Sequence, residues 1–148
     1  MTNLVFDIKR PSFDEVHSLL KRMSAEFTPP LSQTVNLKEY SEKLSTKANF
    51  LTCEVAGKTI GVTAYYLNHS AKQIYITLIC VDKEYQRTGV GDEMLKHLQQ
   101  IAKDSCNEYL NIGLEVNKVN DKAFRFYVKH GFVQQEDRGN RFLMIKLL

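Results

Sequence analysis

Apolar and polar residues alternate over residues 4–10, and the alternation predicts a first strand. Ser12 and Glu15 then stand as a capping box, and Phe13, Val16, Leu20, Met23 and Phe27 keep helical spacing. Pro29-Pro30 closes that helix and opens a loop. Asn36 with Glu39 predicts the cap of a second helix whose apolar face carries Leu37, Tyr40 and Leu44. Residues 49–56 read as a strand, Gly57-Lys58 as a turn and residues 59–67 as the antiparallel return.

Residues 73–81 form the next strand. From Ile74 onward it is almost continuously apolar, so both of its faces should be covered and it should lie centrally. Residues 89–103 predict a long helix with Val90, Met94, Leu98 and Ile101 along one stripe. Residues 109–116 read as a strand. Asn120 opens a last helix to about residue 129, which Gly131 ends. Residues 132–137 and 141–148 then make a hairpin around Arg138-Gly139-Asn140.

The order is β-α-α-β-β-β-α-β-α-β-β. A long helix joins the strand ending at Val81 to the strand ending at Val116, which makes that pair parallel with a right-handed crossover. The expected fold class is α/β (α+β): a mixed, mostly antiparallel sheet of about seven strands with a central parallel pair and about four helices, in one domain over residues 1–148. Ligands of open α/β sheets bind at the carboxyl ends of parallel strands. That edge gathers Cys80, Val81, the segment from Gln86 to Gly91, Glu115, Asn117 and Asn120.

Gly89 and Gly91 open the long helix. A helix N-terminus carries orphan N–H donors and a partial positive charge, which suits a phosphate or pyrophosphate, and a Cβ there would block close approach. No Gly-Lys-Ser/Thr follows the glycines, which excludes a P-loop nucleotide hydrolase.

Composition adds little to this picture. The 148 residues are 43% apolar and 25% charged, ordinary for a soluble globular chain. A net charge of +3 with scattered Lys and Arg argues against nucleic acid as a partner. Cys53, Cys80 and Cys106 are far apart and form no Cys-x-x-Cys pair, so they read as buried free thiols of a reducing compartment, with no metal site. No apolar run reaches 18 residues and no signal-peptide pattern opens the chain, so the expectation is a cytoplasmic protein without a membrane partner.

Gln86-Arg87-Thr88-Gly89-Val90-Gly91 matches the pattern Gln/Arg-x-x-Gly-x-Gly/Ala. Leu114-Glu115-Val116, Asn120, Ala123, Phe126-Tyr127 and Gly131-Phe132 make a second block. With both blocks in this order, the chain resembles the GNAT family of N-acetyltransferases over nearly its whole length. The resemblance implies acetyl-CoA as cosubstrate and a primary amine as acceptor. It implies that the pyrophosphate lies on the loop from Gln86 through Arg87, Thr88, Gly89 and Val90 to Gly91, with Asp92 following. It implies that the pantetheine arm pairs with the strand around Ile79, Cys80 and Val81, where two parallel strands splay, and that Asn120 anchors the arm.

Tyr127 has two readings, a core aromatic on an amphipathic helix or the general acid for the leaving thiolate that the resemblance implies. Glu115 also has two. Its block and its spacing of twelve residues to Tyr127 resemble enzymes that acetylate the N-terminus of a ribosomal protein, where the Glu is the base; otherwise it is a structural carboxylate capping amides. Those enzymes carry a longer insertion before the last strand. Asp92 should point outward and complement the helix dipole. Phe27, Tyr40, Tyr65 and Tyr66 should line an acceptor site suited to a small polar amine such as an amino sugar, with a peptide N-terminus as the other choice. His69 is a further candidate there; His17, His97 and His130 read as surface or packing residues. A non-catalytic acyl-CoA sensor is the alternative of another class. The terminal hairpin leaves monomer and homodimer both open.

Overall fold

The structure is a computed structural model and describes residues 3–105 and 108–148. Its strands are β1 (Val5–Lys9), β2 (Asn49–Val55), β3 (Lys58–Asn68), β4 (Gln73–Val81), β5 (Asn111–Asn117), β6 (Val133–Asp137) and β7 (Arg141–Leu147). Its helices are α1 (Phe13–Met23), α2 (Leu31–Thr34), α3 (Leu37–Lys47), α4 (Val90–Asp104) and α5 (Asp121–Lys129). The strands form one sheet in the order β1-β2-β3-β4-β5-β7-β6. Among the described residues, β4 and β5 run parallel and every other neighbouring pair is antiparallel.

The predicted caps are made. The Ser12 hydroxyl accepts from the Glu15 N–H at 3.3 Å and the Glu15 carboxylate accepts from the Ser12 N–H at 3.1 Å. The Asn36 side chain accepts from the Glu39 N–H at 3.0 Å. Three local details differ from the sequence reading. The helical spacing of Phe27 is coincidental: α1 ends at Met23, tightens into a 3-10 turn over Ser24–Glu26, and Phe27 is extended. The Ser32 N–H donates to the Ser24 hydroxyl at 2.9 Å and folds the following loop back on that end. The β2–β3 turn is Ala56-Gly57, one residue earlier than expected, with φ of +50° and +81° as a two-residue hairpin requires. Cys106 lies outside the described residues; Cys53 and Cys80 are free and buried.

Each face of the sheet has its own core. Val16, Leu20, Met23 and Leu44 pack on Phe50, Val62, Ala64, Leu78 and Cys80. On the other face, Met94, Leu95 and Leu98 of α4 pack on Leu51, Ile60, Tyr65, Ile74, Ile76 and Ile112. Strand β4 serves both cores. The register against β3 slips between Ala64↔Leu78 and Tyr65↔Ile76, leaving Thr77 as an extra residue. A bulge of this kind inverts the alternation. Ile74 and Ile76 therefore face α4, while Leu78 and Cys80 face α1 and α3. This is why the strand reads as continuously apolar.

Gly61 seats the start of α4. A Cβ on Gly61 would lie 3.0 Å from the Val90 side chain and 3.4 Å from Met94. Gly61→Ala should destabilise the fold by about 1–3 kcal/mol through overpacking. A denaturant midpoint equal to wild type would show that α4 is not held against β3 at this point.

Candidate functional site

Strands β4 and β5 pair only from Gln73↔Asn111 to Ile76↔Leu114. Beyond that, β4 stays on β3 as far as Gly61↔Val81, and β5 stays on β7 as far as Asn117↔Arg141. The two parallel strands thus diverge, and a cleft of about 900 Å³ opens between them. The facing edge of β4 beyond Ile76 has no strand partner, so an extended chain with amides of its own can pair with it.

The N-terminus of α4 forms one wall. The first intrahelical bond runs from the Glu93 N–H to the Gly89 carbonyl at 3.0 Å. Helix geometry leaves the N–H groups of Gly89, Val90, Gly91 and Asp92 without intrahelical partners. Arg87 at φ +65° and Gly89 at φ +92° curve the loop, and the Thr88 hydroxyl closes it on the Tyr85 carbonyl. Successive N–H groups in such a curve make a concave anion site.

The two glycines also play different parts within the fold itself. A Cβ on Gly89 would meet nothing within 4 Å, so Gly89 is required by its left-handed backbone and not by crowding. A Cβ on Gly91 would sit 3.1 Å from the Phe126 ring, so Gly91 lets α4 and α5 approach closely. The Val90 side chain is buried in the core, and only its N–H faces outward chemistry. Gln86 braces the loop with its side chain: Nε2 donates to the Val81 carbonyl at 2.9 Å and to Glu26 Oε1 at 3.0 Å, and Oε1 accepts from Lys122 at 3.3 Å. Asp92 does not point outward. It crosses to the end of α5, where it meets the His130 Nε2 and lies 3.8 Å from the Lys129 Nζ, so its negative charge is offset beside the anion site. Asn120 caps α5 by accepting from the Ala123 N–H at 3.1 Å and also lines the cleft.

Tyr127 is buried at 7% exposure, edge-on to Phe126 and Phe132, and still lines the cleft. Burial, and then the nearby Cys80, push its phenol well above the usual 10.0. Burial, followed by the charges of Glu26 and Asp82, pushes the Cys80 thiol up to about 12. Both groups are therefore neutral near pH 7. Ile79 and Val81 present their backbone at the same opening.

The opposite end of the cleft lies on the α1–α3 side. Phe27, Tyr40 and Tyr66 line it as expected, and the Tyr40 hydroxyl meets the Thr77 hydroxyl at 2.9 Å. Tyr65 does not: neighbouring strand residues face opposite sides, and Tyr65 is buried in the α4-side core. Among the described residues, the Tyr66 hydroxyl is the buried side-chain polar atom without a partner. Glu115 caps no amide among the described residues. It is held by Arg138 at 3.3 Å and faces Arg141 at 3.8 Å. Tyr75 stands near it, its phenol pushed up to about 12 first by burial and then by the Glu115 charge. His69 pairs with Glu108 in the β3–β4 turn, at the far end of β4 from the cleft. His17 packs on Phe13, His97 stacks on Phe6 and His130 packs on Phe126. No group of metal-ligating side chains forms among the described residues.

Sequence reading missed Thr77, Tyr75, Lys43, Arg138 and Arg141 as members of this site. Their membership follows from the bulge, from strand register and from which turn of α3 faces the sheet, and none of these has a local signal.

A model of the acetyltransferase (GNAT) family matches residues 13–132. The chain belongs to that family, whose enzymes carry out acyl transfer from acetyl-CoA. Among its relatives is N-alpha-acetyltransferase 50 of Danio rerio, 32% identical over 89 residues, which are 59% of this chain and 52% of that protein. The chain thus spans about half the length of that curated relative. The PaiA N-acetyltransferase of Thermoplasma acidophilum in complex with coenzyme A superposes with a TM-score of 0.78 at 21% identity, covering 97% of this chain and 99% of that one. The ribosomal-protein-S18-alanine N-acetyltransferase of Escherichia coli gives a TM-score of 0.72 at 19% identity, covering 97% and 94%. These likenesses establish the fold: a seven-stranded mixed sheet of the GNAT type with a parallel β4–β5 pair. The residues present fit a CoA thioester, with an open cradle of N–H donors for the pyrophosphate and an unpaired strand edge for the amides of the pantetheine arm.

Proposed function

We propose that this chain is an acetyl-CoA-dependent N-acetyltransferase that delivers the acetyl group directly to a primary amine. The observation that carries the reading is the adjacency of the open α4 N-terminus and the unpaired β4 edge on one cleft. Acetyl-CoA, when bound, supplies an activated acetyl thioester. The N–H groups of the Arg87–Asp92 segment hold its pyrophosphate, with Gln86 bracing the loop from behind and Asn120 near the arm. Backbone amides near Ile79 and Val81, on either side of Cys80, pair with the arm and polarise the carbonyl. Tyr127 offers its hydroxyl to the departing sulfur, and Glu115 accepts the proton of the ammonium, directly or through water. Direct transfer asks for no protein nucleophile, and burial, which raises the Cys80 thiol to about 12, disfavours its thiolate.

The acceptor in this reading is a small polar amine, of which an amino sugar is one example, held among Phe27, Tyr40, Tyr66 and the charges beside Glu115. A peptide N-terminus is the second reading, and the similarity to an N-alpha-acetyltransferase of Danio rerio favours it. No helix among the described residues is long and apolar enough to cross a membrane. Free, buried Cys53 and Cys80 suit the reducing cytoplasm we propose as its setting. A screen of primary amines for thiol release from acetyl-CoA tests the activity. Binding of acetyl-CoA with no release above background for any amine would mean a sensor module instead.

The base assignment makes a separate expectation. Glu115→Gln should lower turnover mostly at neutral pH, with partial recovery at high pH as the free amine becomes available. A pH–rate profile parallel to wild type would assign Glu115 to its ion pairs with Arg138 and Arg141 alone.

A further inference from the structure

The acceptor end of the cleft carries a surplus of positive charge. Cross-strand partners share a face, so the pairs Glu115↔Leu143 and Asn117↔Arg141 put Arg141 on the same face as Glu115. The Arg138 guanidinium is engaged on both sides, 3.3 Å from Glu115 and 3.3 Å from Glu136. Arg141 is not: its nearest carboxylate oxygen, on Glu115, is 3.8 Å away, beyond hydrogen-bond length, and its side chain is 41% exposed. Lys43 of α3, one turn on from Tyr40, lines the same cleft and makes no salt bridge among the described residues. The remaining acidic residue lining the cleft near this end, Glu26, is held by Gln86 toward the phosphate loop. Tyr40, Tyr66 and Tyr75 line the same cleft, and Tyr40 and Tyr75 stand near Arg141.

We propose that the acceptor is a small amine that also carries a carboxylate, with its ammonium toward Glu115 and its carboxylate on Arg141, assisted by Lys43. The proposal rests on the N-acetyltransferase reading and gives its substrate class. A guanidinium presents a planar fork of donors that matches a carboxylate in two parallel bonds. A zwitterion places its two charges opposite Glu115 and Arg141 in complementary order, and the order fixes which end meets the thioester. Glu115 on the same face repels a dianionic phosphate more than it repels a carboxylate, which selects the singly charged group. Arg141 is thus a specificity residue. It touches the far end of the acceptor and takes no part in the proton transfers.

The test uses linear amino acids with different spacings between amine and carboxylate, each matched with the alkylamine that lacks the carboxylate. A peptide amide without acidic side chains is the third arm. Wild type should prefer the best amino acid over its matched amine by at least tenfold in kcat/KM. Arg141→Gln, shown folded by circular dichroism, should lower kcat/KM for that amino acid at least tenfold more than it lowers kcat/KM for the matched amine, and leave acetyl-CoA affinity unchanged. Arg141→Lys should keep part of the preference. Equal use of acid and amine by wild type overturns the proposal, as does a parallel loss for both substrates in Arg141→Gln. Better use of the peptide amide than of any amino acid also overturns it, in favour of a peptide acceptor. In each of those cases acetyl transfer itself is observed and the enzymatic reading stands. No thiol release with any of the three arms overturns the proposal, and the wider screen of primary amines then decides the enzymatic reading.

Discussion

Tyr127→Phe should lower kcat by about a hundredfold, toward the low end of the 10²–10⁴-fold range of a positioned general acid. The ring is buried and edge-on to Phe126 and Phe132, and the substitution keeps that packing. A thiolate is a fairly good leaving group, so a missing proton donor costs less than it would for an alkoxide. Burial holds the phenol well above 10.0, and the sign of that shift matters. The hydroxyl stays protonated from neutral pH to beyond 10, so its ionisation should cause no fall in kcat over that range. Desolvation in the same cleft disfavours the thiolate too, which keeps proton donation toward sulfur feasible. Acetyl-CoA affinity should change little, because the proposed pyrophosphate site is at α4. Steady-state kinetics on the best amine, with calorimetry for the cosubstrate, provides the check. A kcat within twofold of wild type, where chemistry limits turnover, would leave Tyr127 as a packing residue.

Gly89→Val should weaken acetyl-CoA binding at least tenfold, about 1.4 kcal/mol. Gly89 holds φ at +92°, a conformation that a β-branched residue adopts only with strain on the order of 1–3 kcal/mol. The new Cβ would meet no protein atom within 4 Å, so the damage comes through the backbone, where the loop relaxes and the N–H groups of Gly89 to Asp92 lose their common aim, and through a side chain standing in the anion's approach. Because the site lies at the start of α4 and not in the core, the protein should remain folded. Unchanged affinity in a folded variant would remove the anion site from this loop.

The order of elements was readable because each long element carries its own period or cap. Ser12 with Glu15 and Asn36 with Glu39 mark helix starts through backbone donors that need partners, and the structure makes both caps. The parallel β4–β5 pair followed from the long helix between them. The proposed cofactor side of the cleft was legible for a related reason: its donors are backbone groups of consecutive residues, so a short stretch of sequence holds the whole candidate cradle. The roles of its glycines were less visible. Gly91 answers to Phe126 on another helix, a contact no local pattern encodes. The acceptor side was the least readable, since it is assembled from β3, β4, β5, β7 and α3. Thr77 adds the bulge that inverts β4, and nothing in Ile76-Thr77-Leu78 announces it. Tyr65 and Tyr66 look alike in sequence, yet strand alternation sends Tyr65 into the core and leaves Tyr66 on the cleft.

Direct transfer to an amine is tested most directly by following the acetyl group through a single turnover. Enzyme is mixed with a stoichiometric amount of isotopically labelled acetyl-CoA and the best amine, and the quenched reaction is resolved by intact mass. The account predicts equal amounts of free CoA and labelled N-acetyl product, with the enzyme unmodified at every time point. Labelled acetyl on Cys80 or any other side chain, formed and consumed as fast as product appears, would contradict it.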